Sequence, residues 1–409
     1  MPKTARFDVE LGAFVEEVCA DLCRFECAAA AGCAPSAVWV EREVALGAGA
    51  YADIRVEPPG SPPFFVENKL EYAPADLVAR IRRKFGEPHA AWRGADRLAI
   101  VLDRSAIAGW PDVEAALRAA VPGLIVDVWD VTAVLERIRA TFGHAITDVS
   151  RANLLDVRTA IEQAQWRLAF DGKFPDDPRA TTLLWHFSSW ELARLHREER
   201  LAPGDILEPR AYDDVIVLMA DLCSFSSYVR DTRDPHLVRS RLTEYYSLAR
   251  HALLNAGGML YQFVGDEVVG LFGLHEPALP AAAKALQCAR SLFEAGQSVS
   301  HAWQSTLDRV QPSRGVHIGL ALGELSLMPF RPFSRTHLGF IGDALNLAAR
   351  LMSEARSDEA VVSNTFYTRL APERQRLFEE VEPIEAKNVG RIQGWRTTHR
   401  ALASTPGAR

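Results

Sequence analysis

The amino-acid sequence predicts a multidomain α/β protein, with two α/β domains joined by a helical connector. Three observations carry that expectation. Short β-branched and aromatic runs alternate with amphipathic helical patterns twice, within residues 1–140 and again within 211–400. Between them, residues 141–210 contain no convincing strand. A length of 409 residues also suits two or three domains better than one.

In the first domain, residues 10–30 form an amphipathic helix, because Leu11, Phe14, Val15, Val18, Leu22 and Phe25 recur on one side. Strand-like runs follow at Ala37–Val44, Ala52–Val56 and Phe64–Leu70, with a proline-rich loop at Pro58–Pro63. Residues 74–85 are a basic helix, 98–102 and 124–129 are strands, and a helix near 112–120 separates those two. The connector holds helices at about 151–170 and 181–199 around the loop Asp171–Pro178, and is expected to pack on a partner or a neighbouring domain. The second domain opens with a strand at 214–220 and helices within 225–255. A turn at Asn255–Gly258 precedes strands Met259–Val264 and Val268–Phe272, a hairpin turned at Gly265 and Asp266. An alanine-rich helix at about 277–296, a strand at 315–321 and an irregular basic loop at 324–336 come next. A short strand His337–Ile341, a helix at 343–355, a strand Val361–Ser363 and a helix Asn364–Leu370 follow. A hairpin between Phe378 and Trp395 closes the domain, and 401–409 form a disordered tail.

An apolar fraction of 48% and a charged fraction of 24% are ordinary for a soluble protein, and the net charge of -7 argues against bulk nucleic-acid binding. No run of eighteen apolar residues occurs, so no membrane span is expected. The N-terminus turns quickly into an acid-bearing helix rather than a signal peptide, and a cytoplasmic location is expected. Of the six cysteines, Cys19, Cys23 and Cys27 recur every four residues, with Cys33 beyond. On a helix that is a stripe, not a tetrahedral cage, so buried thiols are expected rather than zinc.

Chemistry concentrates in the second domain. Asp221 ends the apolar run Val215–Ala220, and Asp266 sits at the glycine turn of Tyr261-Gln-Phe-Val-Gly-Asp266. Two strand-end carboxylates on neighbouring strands suit a pair of divalent cations. Downstream, Asn346 and Arg350 lie four residues apart on one helix face. Cations with an amide and a guanidinium suit chemistry on a nucleoside triphosphate. His317, among apolar neighbours in a strand, reads as structural, and Cys223 reads as packing.

These motifs resemble, in order, those of the class III nucleotide cyclases over roughly residues 212–395. The matching stretches are Met219-Ala-Asp221-Leu-Cys-Ser-Phe225, Phe263-Val-Gly265-Asp266 with Leu271-Phe-Gly273, Gly319-Leu-Ala-Leu-Gly323 and Ile341-Gly-Asp343-Ala-Leu-Asn346-Leu-Ala-Ala-Arg350. The resemblance implies a ferredoxin-like α/β sandwich and a head-to-tail homodimer with two equivalent sites. Each site takes its aspartates from one protomer and its asparagine and arginine from the other. By position, Asp221 and Asp266 correspond to the metal-binding aspartates, and the Leu222 carbonyl completes one metal position. Two divalent cations, Mn2+ or Mg2+, are expected. Asn346 and Arg350 correspond to residues that stabilise the transition state, and Lys387 to a lysine on the terminal phosphates. Backbone N–H groups at the helix start near Ser224 and Phe225 are expected to face phosphate.

The base-reading positions depart from the purine patterns. Three residues before Gly265 stands Gln262, beside Tyr261; three before Gly342 stands Gly339, with His337 the nearest polar side chain. Either Tyr261 or Gln262 faces the base, depending on strand register. This combination resembles the bacterial pyrimidine cyclases of antiphage defence. Cyclic UMP from UTP is therefore expected, with cyclic CMP, a purine product or a silent nucleotide-binding module as alternatives. Tyrosine, glutamine and histidine can each serve uracil or cytosine. The product would act on a separate effector, and a phage component is the expected activator.

In the first domain, Asp53 followed by Glu67-Asn-Lys69 has the order of an Asp…Glu-x-Lys site, with Glu67 and Lys69 on one strand face. This resembles the restriction-endonuclease-like PD-(D/E)xK fold over residues 10–130, with Arg80, Arg82, Arg83 and Lys84 as a phosphate-facing patch. A solvated strand face, a sensor built on such a fold and a metal-dependent nuclease are the three readings.

Overall fold

The computed structural model describes residues 9–47, 50–70, 74–88, 92, 94–143, 154–175, 177–307, 311, 313–330, 337–386 and 390–403. The chain divides into two units, Met1–Gly172 and Lys173–Arg409.

In the first unit, α1 (Val9–Ala31) precedes β1 (Trp39–Gly47), β2 (Ala50–Glu57) and β3 (Phe64–Asn68). Then come α2 (Pro74–Phe85), β4 (Arg97–Leu102), α3 (Trp110–Ala120), β5 (Ile125–Asp130), α4 (Val131–Phe142) and α5 (Leu154–Phe170). The five strands lie in sequence order, antiparallel from β1 to β3 and parallel from β3 to β5. Strand alternation sorts their apolar side chains into two layers. Val40, Ile54, Val56, Val66 and Val101 pack with Phe14, Val18 and Leu22 of α1 and with Val134 and Ile138 of α4. Phe65, Leu98 and Ile100 pack with Leu77, Ile81 and Phe85 of α2 and with Leu117 of α3. Helix α4 is an element the sequence reading did not assign. Its apolar residues Val131, Val134, Leu135, Ile138 and Phe142 have helical spacing, and Gly143 ends it in the left-handed region at φ 72°. It begins directly after β5, with no turn residues to announce the change. Cys19 and Cys23 are buried as expected, and burial pushes the Cys19 thiol up to about 12.

The second unit begins with α6 (Pro178–His186), α7 (Ser189–Arg197) and α8 (Pro203–Ile206), which lead into β6 (Ala211–Leu222). Helices α9 (Phe225–Asp231) and α10 (Pro235–Asn255) precede the hairpin of β7 (Met259–Val264) and β8 (Glu267–Phe272). There follow α11 (Ala278–Leu307), β9 (Val316–Phe330), β10 (His337–Ile341), α12 (Asp343–Glu354), β11 (Glu359–Ser363), α13 (Asn364–Tyr367) and α14 (Pro372–Gln375). The last elements are β12 (Glu379–Glu380), β13 (Ile384–Ala386), β14 (Gly390–Ile392), β15 (Gly394–Thr398) and α15 (His399–Ala403). The main sheet runs β12-β15-β11-β9-β6-β8-β7, and β10 pairs with β9. Strands β9 and β11 are parallel, and β6 is antiparallel to both its neighbours. Helix α12 lies against β9 so closely that a Cβ at Gly319 would run into the backbone of Ala348 and Met352. Glycine there sets the distance between the helix and the sheet.

Several expectations are corrected. Glu324–Phe330 continue β9 instead of forming an irregular loop, because Leu325 and Leu327 are buried and the segment pairs with β10. Residues 331–336 lie outside the described residues. The expected helix at 181–199 is two helices, since Ser188 accepts the Glu191 N–H at 3.2 Å and caps a new start. The connector segments fall in different units, α5 in the first and α6 onward in the second. Residues 401–403 belong to α15, and 404–409 lie outside the described residues. Among the described residues, no helix is long and apolar enough to cross a membrane.

Candidate active site

Asp221 lies one residue from the end of β6. Asp221 lies opposite His317 of β9, and Leu222 opposite Val316. On the other side, Val268 of β8 lies opposite Ala220, so the β7–β8 turn two residues earlier sits beside Asp221. Gly265 takes φ 63° in that turn, a conformation glycine adopts without penalty, and delivers Asp266 to the strand end.

The Asp221 and Asp266 carboxyl groups hydrogen-bond to each other. Burial, then the hydrogen bond and charge of Asp221, push Asp266 up to about 7. Burial also works against ionised Asp221, but hydrogen bonds from His317, Asp266 and the Leu222 N–H outweigh it and hold this carboxyl below its ordinary value. His317 Nε2 stands 3.2 Å from Asp221 Oδ2. Its hydrogen bonds to Asp221 and then to Cys223 push the imidazole up to about 9.

Two carboxyl groups in such contact repel when both are ionised, and a cation between them relieves the repulsion. Their all-oxygen chemistry fits a hard divalent ion such as Mg2+ or Mn2+. Among the described residues no group of three or more His, Cys, Asp and Glu side chains gathers to hold a metal. An ion held by the two carboxylates would complete its shell with water or with substrate phosphates.

The register around Tyr261 contains a feature hidden in the sequence. Pairing of β7 with β8 shifts between Leu260 and Gln262, a bulge centred on Tyr261. Tyr261 is half-buried, its hydroxyl accepts the Phe340 N–H at 3.1 Å, and its ring meets Phe340 edge-on at 5.3 Å. Gln262 is exposed. Gly339 is buried and lies opposite Met328. The His337 side chain and the whole of Lys387 lie outside the described residues.

Ser224 has φ 64° and donates its hydroxyl to the Ser313 carbonyl at 2.9 Å, while Phe225 sits edge-on to Trp303 at 6.0 Å. Helix α12 buries Ala344, Ala348, Leu351 and Met352, which leaves Asn346 and Arg350 on its exposed side, about one turn apart. Among the described residues neither has a hydrogen-bond or ion-pair partner, and neither touches the aspartates of its own chain in this way. Asp221, Leu222 and Asp266 thus meet where β6 ends beside the β7–β8 turn, while Asn346 and Arg350 lie on the exposed face of α12.

In the first unit Asp53, Glu67 and Lys69 do come together. Lys69 Nζ lies 2.8 Å from Asp53 Oδ2 and 2.7 Å from Glu67 Oε2. Lys84 of α2, assigned from sequence to a phosphate-facing patch, instead reaches Glu67 Oε2 at 2.8 Å and Asp53 Oδ1 at 3.2 Å. Glu67 is fully buried, which rules out the solvated strand face. Two ammonium groups balance two carboxylates there.

His317 is the site residue that sequence reasoning missed. Its apolar neighbours were correctly read as strand; only the pairing of β9 with β6 reveals that it faces Asp221.

Residues 207–399 match the family model for the adenylate and guanylate cyclase catalytic domain. The adenylyl cyclase CyaB from P. aeruginosa is 20% identical, with 46% of this chain and 95% of that chain covered and a TM-score of 0.41. The guanylate cyclase domain of RhGC from Catenaria anguillulae, in complex with GTP, is 17% identical over 46% of this chain and 98% of that one, with a TM-score of 0.39. No curated protein matches the chain.

The second unit thus contains a class III nucleotide-cyclase-like catalytic domain over residues 207–399. The protein is an enzyme of that lyase class, whose general chemistry converts a nucleoside triphosphate to a cyclic nucleotide and pyrophosphate.

Proposed function

We propose that two copies of this chain build two equivalent cyclase sites, each combining Asp221 and Asp266 of one protomer with Asn346 and Arg350 of the other. The observation that carries this reading is the exposed Asn346/Arg350 pair on α12, which among the described residues makes no hydrogen bond or ion pair with Asp221, Asp266 or any other group. Bound divalent cations would lower the pKa of the 3′-hydroxyl and offset phosphate charge. Asp221 and Asp266 would hold them, with the Leu222 carbonyl beside Asp221. His317 fixes the orientation of Asp221 through Oδ2. Arg350 would offset charge developing on the α-phosphoryl oxygens, and Asn346 would hydrogen-bond to the ribose. Lys387 and the backbone at Ser224 and Phe225 would bind the departing phosphates.

For the base, the family match supports a purine, since that family is described by adenylate and guanylate cyclases. A pyrimidine, UTP first, is the second reading. Tyr261 favours it: the bulge turns this ring toward β10 where the purine patterns place a lysine or glutamate nearby, and its hydroxyl still has a proton to donate. On that reading a cyclic pyrimidine would signal to a separate effector in antiphage defence. The test is an equal mixture of ATP, GTP, CTP and UTP with Mn2+ or Mg2+, products identified by mass spectrometry, and Asp221→Ala as control. A purine product lost in the control supports the first reading; cyclic UMP so lost supports the second. No cyclic product with or without phage lysate would sink both.

For the first unit, a sensor is favoured over a nuclease, because both carboxylates of the Asp53–Glu67 pair are already held by ammonium groups. Metal-dependent DNA cleavage lost in Glu67→Ala would overturn that.

A further inference from the structure

The turn that carries Asp266 is held from outside the sheet. β7 is the last strand of the sheet order, so among the described residues its outer side has no neighbouring strand. Helix α6 covers part of that edge. His186 Nδ1 lies 2.6 Å from the Leu260 carbonyl oxygen, at the residue where the bulge interrupts the ladder. Since a carbonyl can only accept, the imidazole donates there. Arg250 of α10 ties the same helix end, donating to the Leu184 carbonyl at 2.7 Å.

From α6 an aromatic series runs toward the catalytic turn. Trp185 meets Phe263 edge-on with ring centres 6.5 Å apart. Phe263 stacks on Tyr246 of α10 at 4.1 Å and 18°. The Tyr246 hydroxyl donates to the carbonyl of Gly265, the residue before Asp266. The other end of the hairpin is tied as well: His275, just past β8, bonds through Nε2 to the Ile206 carbonyl of α8 at 2.9 Å. Trp185 nevertheless remains 52% exposed and Val264 54% exposed, so the series is not simply interior packing.

We propose that α6 and α10 form a clamp on the β7–β8 turn, and that Tyr246 and Trp185 are positioning residues that hold Asp266 in register with Asp221. Neither residue contacts substrate; both act through the turn. Helix α6 begins only six residues after the first unit ends at Gly172, so it is the first helix of the catalytic unit that the incoming chain reaches. The clamp is where a signal carried along the chain would first alter the carboxylate pair. This rests on the reading of that pair as a cation site.

The test uses the full chain and Mn2+ alone, with free Mn2+ followed by electron paramagnetic resonance, and turnover measured in parallel. Wild type should bind Mn2+ in a manner lost in Asp221→Ala; if it does not, the cation reading fails and the clamp with it. Given that binding, Tyr246→Phe keeps the stacked ring and removes one hydroxyl. It should weaken Mn2+ binding about fivefold, the equilibrium equivalent of one net hydrogen bond. Turnover at saturating nucleotide and limiting Mn2+ should fall with it, while KM for the nucleotide at saturating Mn2+ stays unchanged. Trp185→Ala should weaken Mn2+ binding in the same direction, and Trp185→Phe should restore it. A merely structural role would lower the thermal midpoint and leave Mn2+ affinity at the wild-type value, which would overturn the proposal.

Discussion

Combining two inactive variants tests the shared-site geometry directly. Asp221→Ala removes half of the carboxylate pair, and Arg350→Ala removes an exposed guanidinium that has no partner among the described residues. Each alone should lose at least about a hundredfold in turnover, the loss typical of removing one group that stabilises a transition state. Co-expressed in equal amounts and free to pair, the two chains form hybrids in about half of all dimers, as follows for a two-fold assembly. Every hybrid has one site with both lesions and one with neither. Half of the dimers at half strength gives about a quarter of wild-type turnover, well above either parent. The assay is cyclic nucleotide formation quantified by mass spectrometry, with light scattering to verify the dimer. The pair Asp221→Ala with Asp266→Ala is the matched control. Both lesions lie on the same half of the site, so every site remains damaged and no recovery is expected. Recovery in the control, or none in the test pair despite hybrid formation, would refute the assignment of Asn346 and Arg350 to the opposite protomer.

Two further outcomes are expected. Lys84→Met should destabilise the protein by about 3 kcal/mol in urea denaturation, because it leaves the Asp53–Glu67 pair with one buried ammonium in place of two. Burial opposes ionised Asp53, but Lys69 and Lys84 hold its carboxyl well below the usual range, so its stabilising contribution is present above the unfolded value near about 4 and is lost as pH falls toward the folded one. The deficit of the variant should therefore stay constant from about pH 6 to 9 and narrow below about pH 4. A deficit unchanged at low pH would mean that packing, not charge, is at stake. Gly319→Val should cost about 1–3 kcal/mol and reduce turnover, since the added side chain pushes α12 off β9 and displaces Asn346 and Arg350; unaltered turnover would show that α12 needs no such close approach.

What was legible in the sequence follows from the range over which each interaction acts. Asp221 and Asp266 could be found because a carboxylate at the end of an apolar run, or at a glycine turn, is visible in a handful of adjacent residues. Asn346 and Arg350 could be placed on one helix face because their spacing alone puts them there. The break before α7 is also written locally, in Ser188 and Glu191, within a stretch whose apolar spacing alone predicts one continuous helix. Other features depend on register between strands far apart in the chain, where a slip of one residue moves every side chain to the opposite face. His317 looked like core because its neighbours are core, and became the partner of Asp221 only through pairing with β6, 96 residues away. The bulge at Tyr261, which sets that ring against Phe340 and leaves Gln262 exposed, is announced by no turn residue. Lys84 looked like surface charge on a basic helix until Glu67, 17 residues earlier, met it in the interior. In each case the sequence showed the kind of group present, and tertiary pairing determined which other group it would meet. The same limit applies to α6: its helical pattern was readable, but its hold on the edge of β7, and through Tyr246 on Asp266, exists only once the hairpin is folded beside it.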